Sequence, residues 1–325
     1  MTRYSRVLMV AVLLTIGCAM LSAQNAQQEA KNQQMVLDWY REVIAFGHVD
    51  LASKYMADTF IEHDPNIHGG RQEFVASYGK NPPKPIQAKL PTSPTNTFAK
   101  GDYVVMLWEH PDKDARTGTP YSFFTYDVTR VKDGKIQEHW NNLRNPALTG
   151  QALPAPASDG YAIPGVPMKK GYDVSSIKYT PQEMKDIEAG TGYYRDVVQS
   201  HHHELADKYL AKDEIQHNPV DPTTAEGLIA WFNSRSPTPD PLHKEIMPLP
   251  DLLLSKNGMV MMMYDRLDKD PQDASKTITT SRFEIVRIAN GKVAEHWDMA
   301  DRKATTIPAV LDWCIKAGRS DCPKN

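Results

Sequence analysis

Two short segments of the chain have nearly the same sequence, and both end in side chains that can transfer protons. Residues 133–141 end in Glu-His-Trp-Asn, and residues 290–298 end in Glu-His-Trp-Asp. Each segment is typical of a hairpin turn followed by a strand. Because side chains alternate between the two faces of a strand, His296 and Asp298 should project into the same cavity. An imidazole beside a carboxylate is an arrangement suited to general acid–base chemistry.

The same alternation assigns the other residues of the two segments. It predicts that Val293, Glu295 and Trp297 share the opposite face of the second strand, and we include Trp297 among the residues that could contact a ligand. In the first segment the corresponding pair is His139 and Asn141, which lacks the acid. We therefore expect activity to depend on the second segment, with His139 and Asn141 left to contact substrate. A purely structural use of both segments is the alternative.

Length and composition limit the class of protein. A chain of 325 residues predicts two domains. Its 41% apolar and 24% charged residues are ordinary for globular proteins, so each half can bury a core of its own. The formal net charge of -3 gives no support for binding nucleic acid or an anionic membrane through a basic surface. We expect a small-molecule ligand as the partner.

The N-terminus has the features of an export signal. Within residues 1–23, Arg3 and Arg6 precede an apolar run at residues 7–16, and small residues near the end provide a cleavage site. The apolar run is too short to span a bilayer, and no later segment is apolar enough to do so. We expect a periplasmic or secreted protein, with lipid anchoring at Cys18 as the less favoured alternative.

Export would leave two cysteines in the mature chain, Cys314 and Cys322. An oxidising compartment permits a disulfide between them, and their even number favours it. Two free thiols in a tail are the alternative.

A long internal repeat indicates a duplicated domain. Residues 39–41, 51–56 and 61–65 match residues 193–195, 205–210 and 215–219, all at an offset of 154 (for example 194 − 40). The Glu-His-Trp segments match at an offset of 157 (295 − 138), so only three residues of net insertion separate the matches. This period is far longer than that of solenoid repeats. The predicted boundaries are a signal peptide at 1–23, a first domain at 24–150, a linker at 151–184, a second domain at 185–302 and a tail at 303–325.

Hydrophobic periodicity predicts helices first and strands afterwards in each copy. Residues 24–34 are polar, so we expect them to be frayed and a helix to begin near Met35. Two shorter helices should include residues 51–56 and 74–78. The predicted strands of the first copy are residues 97–99, 103–110, 121–132 and 135–143, and the fold class is α+β.

Both copies resemble the SnoaL-like polyketide cyclase family of the nuclear transport factor 2-like superfamily. The segments that carry the resemblance are 61–65, 101–105, 127–136 and 138–140 in the first copy and 215–219, 284–288, 291–293 and 295–298 in the second. The resemblance implies two tandem cone-shaped domains, each a curved antiparallel sheet wrapped around N-terminal helices and enclosing an apolar pocket. Such domains commonly pair sheet against sheet, so the tandem chain could form an intramolecular pseudo-dimer. The fold hosts many reactions, so it does not define this one.

The resemblance also implies roles for individual residues. An acidic residue on the final strand of these cyclases moves a proton next to a carbonyl group, and Asp298 occupies the matching position. His296 could orient it or share its proton. His217 matches a histidine at the mouth of the pocket, and His63 is its counterpart in the first copy. The residues that follow them, Asn218 and Asp64, are better explained by a turn, although Asp64 or Asp127 could supply the acid that the first copy lacks.

Four further residues are candidates for contacting substrate. Asp127 and Glu284 each lie three residues before an arginine on a strand, so carboxylate and arginine point to opposite faces and the carboxylate could face inward. A surface ion pair is the alternative. Trp108 and Tyr264 lie on the matching middle strand, beside a methionine-rich run at residues 259–263. These side chains could line an apolar pocket, although core packing explains any single methionine better.

Three consecutive histidines at residues 201–203 do not predict a metal site. Adjacent residues point in different directions, so they do not converge on one ion. The chain also lacks a glycine-rich phosphate loop and a Gly-x-Ser-x-Gly elbow. We therefore expect acid–base chemistry without a cofactor, of the cyclase, isomerase or dehydratase type, on a small apolar carbonyl- or ring-containing molecule. The alternative is a non-catalytic ligand-binding or scaffold protein.

Overall fold

A computed structural model describes residues 23–67, 69–141, 151–152, 161–300, 302 and 309–323. Its described part contains two curved β-sheets, each packed against helices of its own half. The predicted α+β class and the two-sheet architecture are confirmed. We use "first half" for residues 23–141 and "second half" for residues 161–300.

The first half begins with helices. Helix α1 covers residues 23–39 and continues as a wider π-helical turn, Tyr40–Ala45. A 3₁₀ turn at Val49–Leu51 leads into α2 (Ala52–Tyr55), and α3 covers Arg71–Tyr78. The prediction that residues 24–34 are frayed is wrong. Buried polar side chains in this segment bond to the rest of the fold, since Glu29 accepts hydrogen bonds from the Gly101 amide and from Lys256 Nζ.

The first sheet has six strands in the order β2-β1-β6-β5-β4-β3. Their bounds are β1 Met56–Glu62, β2 Gly69–Gly70, β3 Asn96–Lys100, β4 Tyr103–Lys113, β5 Pro120–Lys132 and β6 Lys135–Asn141. Four of these strands were predicted from the sequence, but β1 and β2 were not. The sheet is mixed rather than antiparallel, because β1 runs parallel to β6.

The second half repeats this order. Helix α4 (Pro181–Gly192) begins inside the segment that was predicted to be linker, because Thr180 and Glu183 cap its first turn reciprocally. The next elements are a π-helical turn at Tyr193–Gln199, a 3₁₀ turn at His203–Leu205, α5 (Ala206–Tyr209), β8 (Leu210–Gln216) and α6 (Ala225–Arg235). The remaining strands are β9 Leu252–Lys256, β10 Met259–Lys269, β11 Thr277–Ala289 and β12 Lys292–Trp297.

Five strands of the second sheet repeat the pairing order of five strands in the first, whereas β2 has no counterpart in the second sheet among the described residues. Its order is β7-β10-β11-β12-β8, with β9 also paired to β10, and β8 runs parallel to β12. The short strand β7 (Gln151–Ala152) comes from the predicted linker and pairs with β10. Hairpin turns with positive φ at Asp133, Gly134, Asn290 and Gly291 precede β6 and β12, as their sequences predict.

A bulge in the last strand of each half corrects one prediction. In β6 the extra residue is Gln137, which separates Ile136, packed among the helices of its own half, from Trp140, packed on the opposite face. In β12 it is Ala294. A bulge shifts the alternation by one residue. Val293 therefore does not share a face with the glutamate and tryptophan that follow, as strict alternation predicted.

The two faces of the first sheet belong to different cores. One face packs on the helices of the first half. The other face contributes to a cluster that also contains the core of the second half; its members from the first sheet are Phe98, Tyr103, Val105, Leu107, Phe124, Tyr126, Val128 and Trp140. The outer surface of the first sheet is therefore buried against the second half.

The C-terminal segment carries α7 (Ala309–Ala317) and a disulfide between Cys314 and Cys322, as predicted. Close to the disulfide, the carboxylate and carbonyl of Asp321 accept hydrogen bonds from Thr224 and Thr223 just before α6. Among the described residues, no helix combines the length and the apolar character needed to cross a bilayer.

Candidate functional site

The strongest candidate site in the second half is built around the imidazole of His296. Its Nε2 lies 2.9 Å from Glu284 Oε2 and 2.8 Å from the Tyr194 hydroxyl, and its Nδ1 lies 2.8 Å from Gln216 Nε2. Tyr194 also donates to Glu284 Oε2 at 2.8 Å. Single oxygen or nitrogen atoms of Glu284, His296 and Asp298 lie within 4.8 Å of one another. The cluster that we call the second site consists of Tyr194, Gln216, Asn218, Glu284, His296 and Asp298.

Strand register brings these residues together. Parallel pairing of β8 with β12 sets Gln216 opposite His296. Glu284 lies on β11, the strand on the other side of β12, two residues before the partner of His296. Asp298 follows β12 directly and, two residues after His296, projects to the same side, as predicted.

The orientation of the Gln216 amide limits where the imidazole can carry a proton. The backbone N–H of Asn218 lies 2.9 Å from Gln216 Oε1 and can only donate, so this atom is the amide oxygen. The amide NH₂ therefore faces Nδ1 of His296, which must accept. With the amide in this orientation, His296 can hold a proton only on Nε2, where it donates to Glu284.

This proton arrangement disfavours a metal ion on His296. The convergence of Glu284, His296 and Asp298 is geometrically compatible with a metal-binding set. A metal-bound nitrogen needs a free lone pair, and the other ring nitrogen of a metal-bound histidine normally donates to an acceptor. Here the lone pair on Nδ1 accepts from Gln216, and Nε2 carries the proton. The residues present fit proton transfer better than metal binding.

Burial and neighbouring charges tune the acids of the second site. Burial, helped by repulsion from Glu284, raises the pKa of Asp298 to about 6. Its carboxylate accepts hydrogen bonds from the side chain of Asn218 at 2.7 Å and from the backbone N–H of Ala300 at 2.8 Å. Burial also raises the pKa of Asp221, which accepts from Asn218 as well, to about 7. Both carboxyl groups can therefore gain and lose protons near neutral pH.

Two neighbours act in opposite directions on the protonation of His296. Burial lowers the pKa of the imidazole, whereas the adjacent Glu284 carboxylate raises it, and the balance lies above the ordinary value. The NH₂ group of Gln216 opposes Glu284, because a second ring proton on Nδ1 would face another donor. Protonation of His296 is therefore coupled to rotation of the Gln216 amide.

The corresponding cluster in the first half binds its histidine more tightly. His139 Nδ1 lies 3.0 Å from Glu62 Oε1, and its Nε2 lies 3.0 Å from Asp127 Oδ1. Burial lowers the pKa of His139, but these two carboxylates raise it well above the ordinary value. Trp108 Nε1 donates to the second oxygen of Asp127 at 2.5 Å. His139 is therefore an imidazolium with both of its protons bound by carboxylates. We use "first site" for the cluster of Glu62, Asp64, Trp108, Asp127, His139 and Asn141.

Each site pairs an acid with an asparagine, but the two residues occupy swapped positions in the two sites. Asn141 of the first site donates through Nδ2 to Asp64 at 2.9 Å. In the second site Asn218, at the position of Asp64, donates to Asp298, at the position of Asn141. The first site therefore keeps a carboxylate in this pair, although its last strand ends in asparagine. The prediction that Asp64 and Asn218 only form turns is incomplete, because both side chains also reach across to the last strand.

The sites differ in access to solvent. The Glu284 side chain is 31% exposed, and that of His296 is 9% exposed. In the first site the side chains of Glu62 and His139 are 0% and 1% exposed, and that of Asp127 is 12% exposed. Tyr40 stacks on Trp108 at 4.5 Å beside Asp127, whereas the equivalent Tyr194 bonds to Glu284 and His296. Of the two sites, the second has the more exposed carboxylate beside its histidine.

Three predicted site residues lie elsewhere. His217 Nε2 bonds to Glu295 at 2.9 Å, and its ring stacks on Trp297 at 4.5 Å. Glu295 and Trp297 alternate with His296 on β12, so this group occupies the opposite face of the sheet. His63 makes the same contacts with Glu138 and Trp140 in the first half. Predicted roles for His217, His63 and Trp297 in the cavity are therefore not supported by their positions.

Other predicted residues lie where strand alternation places them. Asp127 and Glu284 face their histidines, while the arginines three residues later bond to Glu138 and Glu295 on the other face. Tyr264 is partly buried and packs against the core of the second half, and burial raises its pKa above the ordinary range. Of the three histidines at 201–203, His201 and His202 both contact Asp240, and His203 contacts Asn233.

The sequence interpretation missed Glu62, Gln216 and Tyr194. The signal was present in the repeat, because residues 61–65 match residues 215–219 and residues 39–41 match residues 193–195. Glu62 and Gln216 precede the two His-Asx-Pro motifs, but without a predicted strand they could not be assigned to a face.

Comparison with solved structures finds similar folds over about a third of this chain. A predicted polyketide cyclase from Acidithiobacillus ferrooxidans is 20% identical, with 34% of this chain and 86% of that chain covered and a TM-score of 0.25. TsrD from Streptomyces laurentii is 14% identical, with 35% and 87% covered and a TM-score of 0.25. IdmH, a predicted polyketide cyclase from Streptomyces antibioticus, is 18% identical, with 34% and 89% covered and a TM-score of 0.25. Similarity at this level says nothing about the reaction.

Among curated proteins no relative matches the chain. A profile of the SnoaL-like domain matches residues 36–139, a range that contains the first site up to His139. Residues 36–139 are therefore similar to the SnoaL-like domain family.

Proposed function

We propose that the second site catalyses acid–base chemistry without a cofactor on a small, largely apolar molecule that contains a carbonyl group or a ring. The reaction class is cyclisation, isomerisation or dehydration. One observation carries the proposal: Asp298, with its pKa raised to about 6, lies within 4.8 Å of a histidine–glutamate pair whose glutamate is partly exposed. A carboxyl group with a pKa near the working pH is an efficient proton carrier.

Each group of the second site has a place in this chemistry. Asp298 removes a proton from the carbon next to the carbonyl and returns one later. Tyr194 keeps its proton, because burial raises its pKa well above the ordinary value, and it would donate to a substrate oxygen on giving up its bond to Glu284. Donors that face the developing charge on the substrate oxygen stabilise the transition state. Glu284 and Gln216 hold His296 with its single proton on Nε2.

The first site is better suited to a structural role. Both protons of His139 are bound by carboxylates, and the ring is sealed from solvent. A group in this state neither accepts nor releases a proton readily. We propose that the first half is a non-catalytic scaffold, that the two halves form an intramolecular pseudo-dimer and that the second half is also a SnoaL-like domain.

We also propose export to the periplasm or beyond the cell. The basic and apolar N-terminal residues support it, although they lie outside the described residues. The disulfide between Cys314 and Cys322 suits an oxidising compartment.

Proton abstraction can be tested before the final product is known. Cyclic ketones and polyketide-like carbonyl compounds that raise the melting temperature of the protein are first identified by thermal shift. Incorporation of deuterium next to their carbonyl groups is then followed by NMR in D₂O. We expect Asp298→Asn to reduce this exchange by roughly 10²- to 10⁴-fold, the usual effect of removing a general base.

Asp64→Asn is the matched control, because Asp64 is the acid of the equivalent pair in the first site. It should leave the exchange rate unchanged. Full exchange in Asp298→Asn would refute the assignment, and a loss confined to Asp64→Asn would transfer the activity to the first half.

A further inference from the structure

Two equivalent aromatic residues meet where the two sheets pack. Tyr126 precedes Asp127 on β5, and Phe283 precedes Glu284 on β11, at the repeat offset of 157 (283 − 126). Because the two carboxylates face the interiors of their own halves, Tyr126 and Phe283 face outwards. Their ring centroids are 5.5 Å apart, and their planes are inclined by 22°. The two residues occupy equivalent positions, but their side chains differ by a hydroxyl group.

Only the tyrosine of this pair can donate a hydrogen bond. Its hydroxyl lies 2.7 Å from the backbone carbonyl oxygen of Asp298, in the other half of the chain. Tyr126 is fully buried, and burial raises its pKa well above the ordinary value, so it remains a donor at all relevant pH. Phe283 has no hydroxyl and cannot make the reciprocal bond to the first half.

Asp298 depends on such support because it lies beyond the end of its strand. The pairing of β11 with β12 ends at Trp297, one residue earlier. The Asp298 carboxylate is held by the Asn218 side chain and by the Ala300 N–H, and the backbone carbonyl is held by Tyr126. One of the anchors of the candidate proton carrier therefore comes from the first half.

We propose that the first half is a positioning element for the second site and acts through Tyr126. Through this pair the first half holds the second by a hydrogen bond and not the reverse, since the second half has phenylalanine at the equivalent position. The catalytic meaning of this contact rests on the proposed function, but the contact itself can be tested without a substrate. It also accounts for two fused halves with only one exposed site.

Tyr126→Phe in the full-length chain is the direct test, because it removes one hydroxyl and preserves the ring. We expect the Asp298 segment to loosen and admit water. Carboxyl NMR titration should then show the pKa of Asp298 falling by about half a unit or more towards its ordinary value, since solvation favours the charged form. Hydrogen exchange at the Ala300 amide should accelerate about tenfold or more as the local structure opens.

Tyr103→Phe is the matched control. Tyr103 is also a buried tyrosine on the outer face of the first sheet, and its hydroxyl donates to the backbone carbonyl of Asp173 at 3.1 Å. This variant loses an equivalent bond away from Asp298 and should change neither readout. An unchanged Asp298 titration and Ala300 exchange rate in Tyr126→Phe, or equal changes in both variants, would overturn the proposal.

The same experiment separates the two proposals. If Asp298→Asn retains full activity while Tyr126→Phe still shifts the Asp298 titration, the catalytic assignment fails and the positioning contact stands. In a turnover assay Tyr126→Phe should lower kcat more than it changes KM, because the hydroxyl bonds to the backbone of Asp298 and not to the substrate.

Discussion

The two histidine clusters differ most in one side chain. Glu62 faces Nδ1 of His139, and Gln216 occupies the same position against His296. A carboxylate accepts a hydrogen bond from a protonated Nδ1, whereas the amide NH₂ of Gln216 donates a hydrogen bond to Nδ1. Two carboxylates therefore hold His139 as a cation, whereas at His296 the Gln216 amide opposes the second proton that Glu284 favours.

Gln216→Glu should place His296 between two carboxylates, as His139 is in the first site. The new carboxylate would accept from Nδ1, so the pKa of His296 should rise and its proton should no longer exchange during the reaction. We expect at least a tenfold loss of deuterium exchange into substrate, within the usual range for disturbing a general acid–base group. Imidazole NMR titration measures the change in pKa directly. Glu62→Gln, the reverse change in the first site, should lower the pKa of His139 without reducing turnover, and an unaltered His296 titration in Gln216→Glu would contradict the assignment of the amide.

At the scale of elements, the inner face of β8 differs from that of β1. The repeat offset of 154 (214 − 60) places Glu214 where the first half has Phe60. Phe60 is buried in the core of the first half and packs edge-on against Phe74. Glu214 is 3% exposed, and neither carboxylate oxygen has a hydrogen-bond partner among the described residues. Burial raises its pKa from 4.5 to about 7.

This shift makes the stability of the second half depend on pH. Below about pH 4, Glu214 is protonated in both the folded and the unfolded chain and imposes no penalty. As the pH rises from 4.5 to about 7, the unfolded chain releases the proton first, so the folded state loses stability. At 1.36 kcal/mol per pKa unit, the loss amounts to about 3 kcal/mol at pH 8.

Glu214→Gln should remove this contribution, because the amide does not titrate. Urea unfolding at pH 5 and pH 8 should show a loss of stability between the two that is smaller than in the parent by about 2.5 kcal/mol, because part of the loss has already occurred at pH 5. Asp213→Asn, an exposed neighbour on the same strand, is the control and should leave the pH dependence unchanged. An equal pH dependence in Glu214→Gln and the parent would show that Glu214 finds a partner in solution.

At the scale of the whole molecule, the outer face of the first sheet is a core surface. Leu107 and Val105 are 1% exposed, and both belong to the cluster that contains the core of the second half. Separation of the halves would expose this apolar face to water. The free-energy cost is about 25 cal/mol for each Å² of apolar surface exposed.

Expression of the two halves as separate chains tests whether they need each other. We expect each half alone to self-associate or aggregate, and the two to form a one-to-one complex when mixed, because only the partner sheet covers the apolar face. Size-exclusion chromatography with light scattering measures the masses. Two stable monomers that remain apart on mixing would rule out the proposed pseudo-dimer.

Local patterns were sufficient to predict much of this molecule from its sequence. The repeat, the order of helices before strands and the turn that precedes each Glu-His-Trp motif follow from residue types at short spacing. The shared side of His296 and Asp298 follows from alternation over two residues. The inward position of Asp127 and Glu284 follows from the same rule.

The composition of the sites depended on contacts between distant residues. Glu62 lies 77 positions before His139, and Gln216 lies 80 positions before His296. They meet only because β1 and β8 pair in parallel with the last strands, a pairing that no local pattern indicates. The same register places His217 on the opposite face from His296. The sequence by itself thus determined which residues could do chemistry. Strand register in the tertiary structure decided which of them lie in one cluster, because hydrogen bonds between remote strands set the face on which each side chain emerges.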